Sequence, residues 1–313
     1  MGWWIAGGIL VVLILAGAYF CYKLAFFNDI KDDDIYHVPK SEQYQKQADK
    51  MRAAVAEMDA IKDFEEVYIT SDDGLRLYGR YYHLKDGAPL QIQMHGYRGN
   101  AFRDFCGGHK LARKMGHNTL VIDQRAHGKS EGKVITFGIK ERYDCRAWAR
   151  YAAERFGPDT PIFLVGVSMG AATVLMASDM DLSENVVGVI ADCPYSAPGK
   201  IIRKVCWDMK IPGWLGYPFV VLGGLIFGHF CIWESSAEKA VMHAKVPVLI
   251  IHGEDDRFVP CDMSHQIYNA NSETITLETF PEAGHGLSYL LDPPRYEGVI
   301  KKFVSRCLAG EEK

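Results

Sequence analysis

From about residue 64 onward, short apolar runs are separated by longer segments with apolar residues at helical spacing. Short apolar runs bounded by turn residues are typical of buried strands. Their alternation with helical segments predicts βαβ crossovers and an α/β fold with a mainly parallel, doubly wound sheet. After a hairpin formed by EEVYIT and LRLYGRYYHL, the predicted strands are Leu90–Met94, Thr119–Ile122, Ile162–Val165, Val186–Ala191, Val246–Ile251 and Thr274–Phe280, and the predicted helices are Arg103–Met115, Ile139–Arg155, Ala171–Ser178, Asp262–Ala270 and Arg295–Leu308.

The N-terminal segment has a different pattern, because Trp3–Tyr22 is twenty residues without a charge. That length spans a bilayer as a helix, and aromatic residues stand at both of its ends. Ala16-Gly17-Ala18 resembles a signal-peptidase site, so a cleaved signal peptide is the alternative. However, no Lys or Arg precedes the apolar run, as a signal peptide requires. We therefore predict an uncleaved transmembrane anchor over residues 1–27 and a single-pass membrane protein.

The charges beside this anchor determine its orientation only weakly. Lys23 follows the apolar run, and carboxylates count little in the positive-inside rule. We expect the rest of the chain on the extracytoplasmic side. The acidic residues that follow the anchor are Asp29, Asp32, Asp33 and Asp34.

Residues 28–63 are predicted to form a tether followed by a helix. Met51, Val55, Met58 and Ile61 recur close to helical spacing among strong helix formers. This helix could pack on the domain or stand as a stalk. We place the globular domain at residues 64–313 and expect the chain without residues 1–27 to be a soluble, active unit.

The strongest chemical pattern is Gly166-Val167-Ser168-Met169-Gly170, which lies between a predicted strand and a predicted helix. A serine nucleophile needs an exposed, fixed position beside a base, and a sharp strand-to-helix turn provides it. Such a turn leaves no room for side chains two residues away, so glycines flank it. The backbone N–H of Met169 would then point to where an oxyanion forms.

Three further predicted strands also run directly into polar or glycine-rich turns. The turn HGYRGN begins at His95 and can supply a second oxyanion donor, for which we select the amide of Tyr97, with His95 itself structural. The turn HGEDDRFVP contains two adjacent acids, Asp255 and Asp256, either of which could orient an imidazole. His285 lies between two glycines after the last strand, which suits a general base.

These motifs resemble those of the α/β-hydrolase superfamily from Phe64 to Leu308, in its esterase and lysophospholipase-like branch, which also holds serine aminopeptidase-like sequences. The resemblance implies a Ser168, Asp256, His285 triad, because the family pattern H-G-x-x-D-x-x-V selects Asp256 over Asp255. It also identifies DQRAHGKSEG as a structural turn, with Ala126 where glycine is usual. A serine hydrolase acting on ester bonds through an acyl-enzyme is implied, with a small ester or lipid-like substrate. A serine peptidase or acyltransferase and a non-catalytic binding protein are the alternatives.

The resemblance places a cap in the insertion of about residues 197–240. Ile211–Trp233 is nearly uncharged and long enough for a second membrane span. A single crossing there would separate the predicted nucleophile from its base and acid, so we predict a bent apolar cap over an acyl pocket. Phe219 and Leu222 are the expected substrate contacts. The alternative is a plain buried pair of helices.

Composition narrows the function classes further. Of 313 residues, 48% are hydrophobic and 24% charged, which is typical of a globular protein. The net charge of −4 provides no basic surface for nucleic acid. The eight cysteines have no zinc-site spacing and are expected to be mostly buried thiols, with occasional disulfides left open. The predicted chemistry requires no metal and no organic cofactor, and the oligomeric state is left open.

Overall fold

The computed structural model describes residues 2–29 and 34–311, so Asp32 and Asp33 of the acidic run and residues 30–33 of the tether lie outside the described residues. The α-helices are α1 (Gly2–Ala25), α2 (Glu42–Gln45), α3 (Ala48–Asp59), α4 (Ala101–Lys114), α5 (Glu141–Phe156), α6 (Met169–Ala177), α7 (Pro198–Asp208), α8 (Gly213–Ile226), α9 (Ala237–Ala240), α10 (Asp262–Ala270), α11 (Ser288–Leu291) and α12 (Pro293–Ala309). The strands are β1 (Glu65–Thr70), β2 (Arg76–Tyr82), β3 (Leu90–Met94), β4 (Asn118–Asp123), β5 (Ile162–Val167), β6 (Val186–Asp192), β7 (Val248–Gly253) and β8 (Ile275–Phe280).

One sheet of eight strands forms in the described part of the chain, in the order β1-β2-β4-β3-β5-β6-β7-β8. The hairpin β1–β2 is antiparallel and joins β4 antiparallel, whereas β3 to β8 are parallel. The predicted mainly parallel, doubly wound α/β sheet is confirmed, and this is the α/β-hydrolase fold. Because β3, β5, β7 and β8 end at the same edge, the four predicted motifs meet there.

Helices cover both faces of the sheet. Helices α5 and α6 pack on one face, where Trp148 is fully buried, and α4 and α12 pack on the other. Strand β3 is buried along its whole length, including Gln91 and Gln93, and the apolar β5 is mostly buried, as expected of central parallel strands. The sheet therefore gives the ends of these strands a rigid support.

Helix α3 packs on the domain, which decides between the two arrangements left open by the sequence. Val55 and Met58 are buried against Tyr82 and Phe102, and α3 runs along α4. The apolar spacing of α3 thus serves to bury one helical face. The segment acts as part of the domain and not as a stalk.

Helix α1 has two different halves. Trp3–Ala16 is exposed, whereas Ala18, Tyr22 and Phe26 are buried against the insertion and the domain. The segment Trp3–Ala25 is long and apolar enough to cross a membrane by length and composition. The second half of this helix, however, packs side by side with α8. The expectation that residues 1–27 lie outside the catalytic unit therefore differs from the structure.

The insertion contains the helices α7 and α8, with Pro218 inside α8, and ends with the short helix α9. Gly223 lies so close to α1 that a Cβ there would approach the carbonyl oxygen of Ala18 at 2.6 Å. A Cβ at Gly17 would likewise lie 2.9 Å from the ring of Phe219. Small residues thus allow α1 and α8 to pack closely, and the cap is built from the insertion together with α1.

Candidate active site

The turn from β5 into α6 holds Ser168 in a strained conformation, with φ 56° and ψ −114°. Its amide donates to the carbonyl of Asp192 at 2.8 Å, which stabilises the turn. A Cβ at Gly166 would overlap the carbonyl of Gly170, and one at Gly170 would overlap the carbonyl of Met94. These contacts explain why glycine occupies both flanking positions of the motif. They also give the Ser168 hydroxyl a single fixed direction.

His285 lies between the other two residues predicted for the triad. Its Nε2 is 2.8 Å from Ser168 Oγ, and its Nδ1 is 2.6 Å from Asp256 Oδ2. Since a carboxylate only accepts, Nδ1 carries the proton and donates to Asp256, which leaves Nε2 free to accept from the serine hydroxyl. The structure therefore brings together all three residues that the sequence pointed to, from three different loops.

The Asp256 carboxylate is buried, and both of its oxygens accept hydrogen bonds. Its Oδ1 accepts the amides of Phe258 and Val259 at 2.9 and 2.8 Å. Burial by itself would raise the pKa of this carboxyl, but the electrostatic interaction with His285 and the hydrogen bonds from His252 and His285 outweigh it and hold that pKa well below its usual range. Asp256 thus stays ionised and can stabilise a positive charge on the imidazole.

Asp255, the other acid of this turn, has a different environment. Its carboxylate is exposed and pairs with Arg257 at 3.2 Å. It also accepts from the Gln43 amide at 2.9 Å. Its contacts are those of a surface acid that holds the turn against the segment around α2.

His252 is a positioning residue that the sequence did not single out. Its Nε2 lies 3.2 Å from Asp256 Oδ2 and 2.9 Å from the carbonyl of Val259, so it donates to these two acceptors. Its Nδ1 then accepts from the Ser264 hydroxyl at 2.6 Å. Its place at the end of β7 was the available signal. The His252 ring thus holds Oδ2 of Asp256 in place. The rings of Phe258 and His285 pack against each other in a T-shaped arrangement.

The loop after β3 approaches Ser168 closely. A Cβ at Gly96 would lie 3.3 Å from the Cβ of Ser168. The amide of Gly96 donates to Asp104 at 2.8 Å, and the amide of Arg98 donates to His127 Nε2 at 3.1 Å. These bonds hold the Tyr97 amide between them, and this amide has no protein acceptor within the described part of the chain.

Met169 is the first residue of α6, so its N–H belongs to the donors that a helix leaves without an intrahelical partner. The amides of Met169 and Tyr97 are the two backbone donors predicted for the oxyanion. His95 binds within its own loop and to the Gln124 amide, which agrees with a structural part.

The DQRAHGKSEG turn supports this loop from below. Its Arg125 is buried and forms ion pairs with Asp144 at 2.6 Å and Asp73 at 2.9 Å. Ala126 has φ 64°, the left-handed conformation that favours glycine, which explains the glycine usual at this position. His127 accepts the Arg98 amide at its Nε2 and therefore positions the loop.

A cavity of about 270 Å³ opens directly above Ser168. Its lining is almost entirely apolar and comes from α1, α7 and α8, together with Tyr97, Phe137 and Tyr195. From α8 it includes Gly216 and Val220. Phe219 and Leu222, the expected substrate contacts, are not among its lining residues, and Phe219 packs on Gly17 of α1 instead.

Cys193 lies beside the three residues, with its Sγ 3.9 Å from His285 Nε2. One potential ligand atom from each of Cys193, Asp256 and His285 lies within 4.8 Å of the others, a spacing compatible with a metal ion. However, Asp256 and His285 already bind each other, and burial raises the pKa of the Cys193 thiol well above its usual range. The geometry favours a proton relay over a metal centre. All eight cysteines are free thiols.

Comparison with known proteins gives a consistent picture. A family model described as the alpha/beta hydrolase family matches residues 94–298. The uncharacterised Bacillus subtilis protein YqkD is 23% identical over 304 residues, which cover 95% of both chains. The Danio rerio lysophosphatidylserine lipase ABHD12 is 23% identical over 205 residues, which cover 64% of this chain and 51% of that protein.

Solved structures show the same fold. An esterase of Pyrococcus furiosus superposes with a TM-score of 0.65 at 24% identity, covering 80% of this chain and 93% of the esterase. The Butyrivibrio proteoclasticus esterase Est1E, with ferulic acid bound, superposes with a TM-score of 0.59 at 23% identity, covering 78% of this chain and 99% of the esterase.

Proposed function

The chain belongs to the alpha/beta hydrolase family, and from that premise we propose that it is a serine hydrolase that cleaves carboxylic esters. The observation that carries this proposal is the relay in which His285 lies 2.8 Å from Ser168 Oγ and 2.6 Å from Asp256. A serine hydroxyl at its ordinary pKa is a weak nucleophile and needs such a base.

The proposed reaction has two halves. Ser168 Oγ attacks the ester carbonyl while its proton passes to His285 Nε2, and the oxyanion is stabilised by the amides of Tyr97 and Met169. His285 then gives the proton to the departing alcohol, which leaves an acyl-enzyme on Ser168. Water, deprotonated by His285, releases the acid and restores the serine. Asp256 holds the imidazole in its tautomer and stabilises its cation throughout.

The apolar cavity supports an ester with a hydrocarbon acyl chain. Burial of each CH₂ contributes about 0.8 kcal/mol, so such a cavity favours longer chains. Its position above Ser168 and the names of the esterase and lipase relatives agree with this choice. A serine peptidase or acyltransferase could use the same three residues, but an apolar cavity has little to offer a peptide backbone.

We also propose that α1 anchors the enzyme in a membrane. The exposed face of Trp3–Ala16 is apolar throughout, and its length fits a bilayer. The extracytoplasmic side stays a prediction. Two observations count against the extracytoplasmic side. Lys23 lies at the domain end of the helix, and the positive-inside rule places Lys on the cytoplasmic side. In addition, the eight cysteines are free thiols. Labelling of the partly exposed Cys261 in intact cells with a membrane-impermeant maleimide decides the side.

The test of the proposed chemistry is labelling by a fluorophosphonate probe together with a panel of p-nitrophenyl esters and aminoacyl substrates. The wild type should label and hydrolyse the esters, whereas Ser168→Ala should do neither. A drop on the order of 10⁴- to 10⁶-fold is expected for loss of the nucleophile. An unlabelled wild type would instead indicate a binding protein, and preference for aminoacyl substrates would indicate a peptidase.

A further inference from the structure

We propose that helix α1 forms one wall of the acyl-binding cavity, so that the acyl chain of the substrate lies against the membrane helix and enters the site from the bilayer. The proposed substrate is a membrane-resident ester with a single acyl chain. This inference rests on the proposed esterase function. It adds a part for α1 that goes beyond anchoring.

The cavity above Ser168 lies between three helices. Helix α1 contributes Phe20, Cys21, Leu24 and Ala25, which face α7 and α8 across the cavity. Without α1, the cavity would lack the wall that Leu24 and Ala25 provide. A chain bound here would therefore contact the last turns of the membrane helix.

The C-terminal end of α1 is fixed relative to the nucleophile. The last carbonyls of a helix have no intrahelical partner. Here the Tyr97 hydroxyl donates to the carbonyl of Ala25 at 2.9 Å, and the Arg98 guanidinium donates to the carbonyls of Leu24 and Phe27 at 3.0 Å each. The wall is thus held by the same loop that carries the proposed oxyanion amide. Its distance from Ser168 is set by the fold and not by the flexibility of a tether.

The cavity opens where α1 is exposed. Phe20 and Leu24 line the cavity, yet they are 67% and 45% exposed. A helix of the length of Trp3–Ala25 rises about 35 Å, and the hydrocarbon core is about 30 Å thick. If α1 spans it, Leu24 and Phe20 lie at or just inside the interface, so the opening faces lipid.

Helix α8 also fits a position at the membrane interface, because it runs beside α1 and carries no charged residue. Its side chains Trp214, Leu215, Leu225 and Ile226 are exposed and apolar. Exposed apolar surface of this kind is costly in water and favourable in lipid. The cap and the last turns of α1 therefore lie together at the membrane surface. An acyl chain can pass from lipid into the cavity without crossing water.

The test uses the full-length protein in phosphatidylcholine nanodiscs, with p-nitrophenyl decanoate incorporated in the discs and p-nitrophenyl acetate supplied in water. Both substrates share a leaving group, so the ratio of their kcat/KM values reports the acyl chain alone. Leu24→Trp fills the opening, and Leu13→Trp is the matched control, because Leu13 is exposed on the same helix away from the cavity.

Leu24→Trp should lower the decanoate-to-acetate ratio by roughly tenfold or more, since each excluded CH₂ is worth about fourfold. Leu13→Trp should leave the ratio within about twofold of the wild type. Phe20→Ala widens the opening and should shift the optimum to longer chains. This variant keeps the test decisive if Leu24→Trp fails to fold.

The inference is overturned if Leu24→Trp and Phe20→Ala both keep the wild-type ratio while hydrolysis remains dependent on Ser168. It is also overturned if the wild type hydrolyses acetate but not the decanoate held in the discs. Failure of the proposed function looks different, because the wild type would then hydrolyse neither ester and would not react with a fluorophosphonate.

Discussion

The hydroxyl of Tyr97 donates a 2.9 Å hydrogen bond to the carbonyl oxygen of Ala25 and so joins the loop beside the nucleophile to the end of the N-terminal helix. The ring of Tyr97 also packs on Phe137, with ring centroids 5.0 Å apart. One residue therefore supplies the proposed oxyanion amide through its backbone and contacts the N-terminal helix through its side chain.

Truncation should separate the two halves of α1. Removal of residues 1–15 takes away the exposed stretch Trp3–Leu15 and should leave hydrolysis of p-nitrophenyl acetate within about twofold of the wild type. Removal of residues 1–27 also takes Phe26, which is fully buried against Phe137 and Phe230. Loss of a buried Phe costs about 3–5 kcal/mol, which lowers Tm on the order of 10 °C.

Thermal melting and acetate hydrolysis of both truncated proteins check this prediction. Equal stability and activity of the two would show that residues 16–27 are dispensable. The simple picture of a separable anchor, expected from the sequence, would then be right.

Replacement of Tyr97 by phenylalanine removes the hydroxyl and keeps the backbone amide. The carbonyl of Ala25 loses this donor, which costs about 1–3 kcal/mol for a buried group. We expect kcat to fall by roughly threefold to tenfold, less than the ~10²-fold that a 1 Å displacement can cost. Tyr19→Phe is the control, because it removes a tyrosine hydroxyl from helix α1 itself at a position that is 49% exposed. An unchanged kcat in Tyr97→Phe would mean that the loop holds its place without α1.

The two acids of the β7 turn should respond differently to amidation. Asp256→Asn removes the charge 2.6 Å from His285 and favours the wrong tautomer, so kcat should fall roughly 10⁴-fold, as in other triads. Asp255→Asn should cost less than about tenfold, because that carboxylate is exposed and pairs with Arg257. Steady-state kinetics of both variants decide the assignment. A greater loss in Asp255→Asn would move the proposed acid by one position.

Lowering the pH should weaken the ion pair between Asp73 and Arg125, which stabilises the turn beneath the active-site loop. Hydrogen bonds from Arg125 lower the pKa of this carboxyl to about 2 from an ordinary value of 3.8. A depressed folded-state pKa contributes stability above the unfolded value, and that contribution is lost as pH falls from about 4 to 2. Asp73 is 44% exposed, so the contribution should stay within about 1 kcal/mol.

Denaturant unfolding of the wild type and Asp73→Asn at pH 5 and at pH 2.5 measures this contribution. The difference in unfolding free energy between the two proteins should shrink at the lower pH. Asp49→Asn, at a fully exposed position, should show no such change. A difference that is constant with pH would mean that the ion pair with Arg125 contributes nothing.

The sequence alone predicted the parallel sheet and the loops that carry the site. Ser168 could be identified because its strained turn admits only glycine at positions 166 and 170. Both positions are two residues from Ser168, so the requirement is visible in the local sequence. Strand periodicity and the carboxyl-end rule then placed His285 and the pair Asp255 and Asp256 at the same edge, and the family resemblance selected Asp256. The sequence did not reveal the positioning role of His252, because that role depends on hydrogen bonds with Asp256 and Ser264 that no local pattern encodes.

The tertiary structure decided which side of the cap faces the cavity. Helix α8 has no charged residue, and its side-chain polar atoms belong to Trp214 and Tyr217 alone, so its sequence carries no periodic signal that could distinguish Val220 from Phe219. Its rotation is set by close packing at Gly17 and Gly223, where backbones and rings of distant segments meet. The same holds for α1, which carries no charge before Lys23 and whose sequence is that of a simple membrane span. Its contact with the site depends on hydrogen bonds from a loop more than seventy residues away.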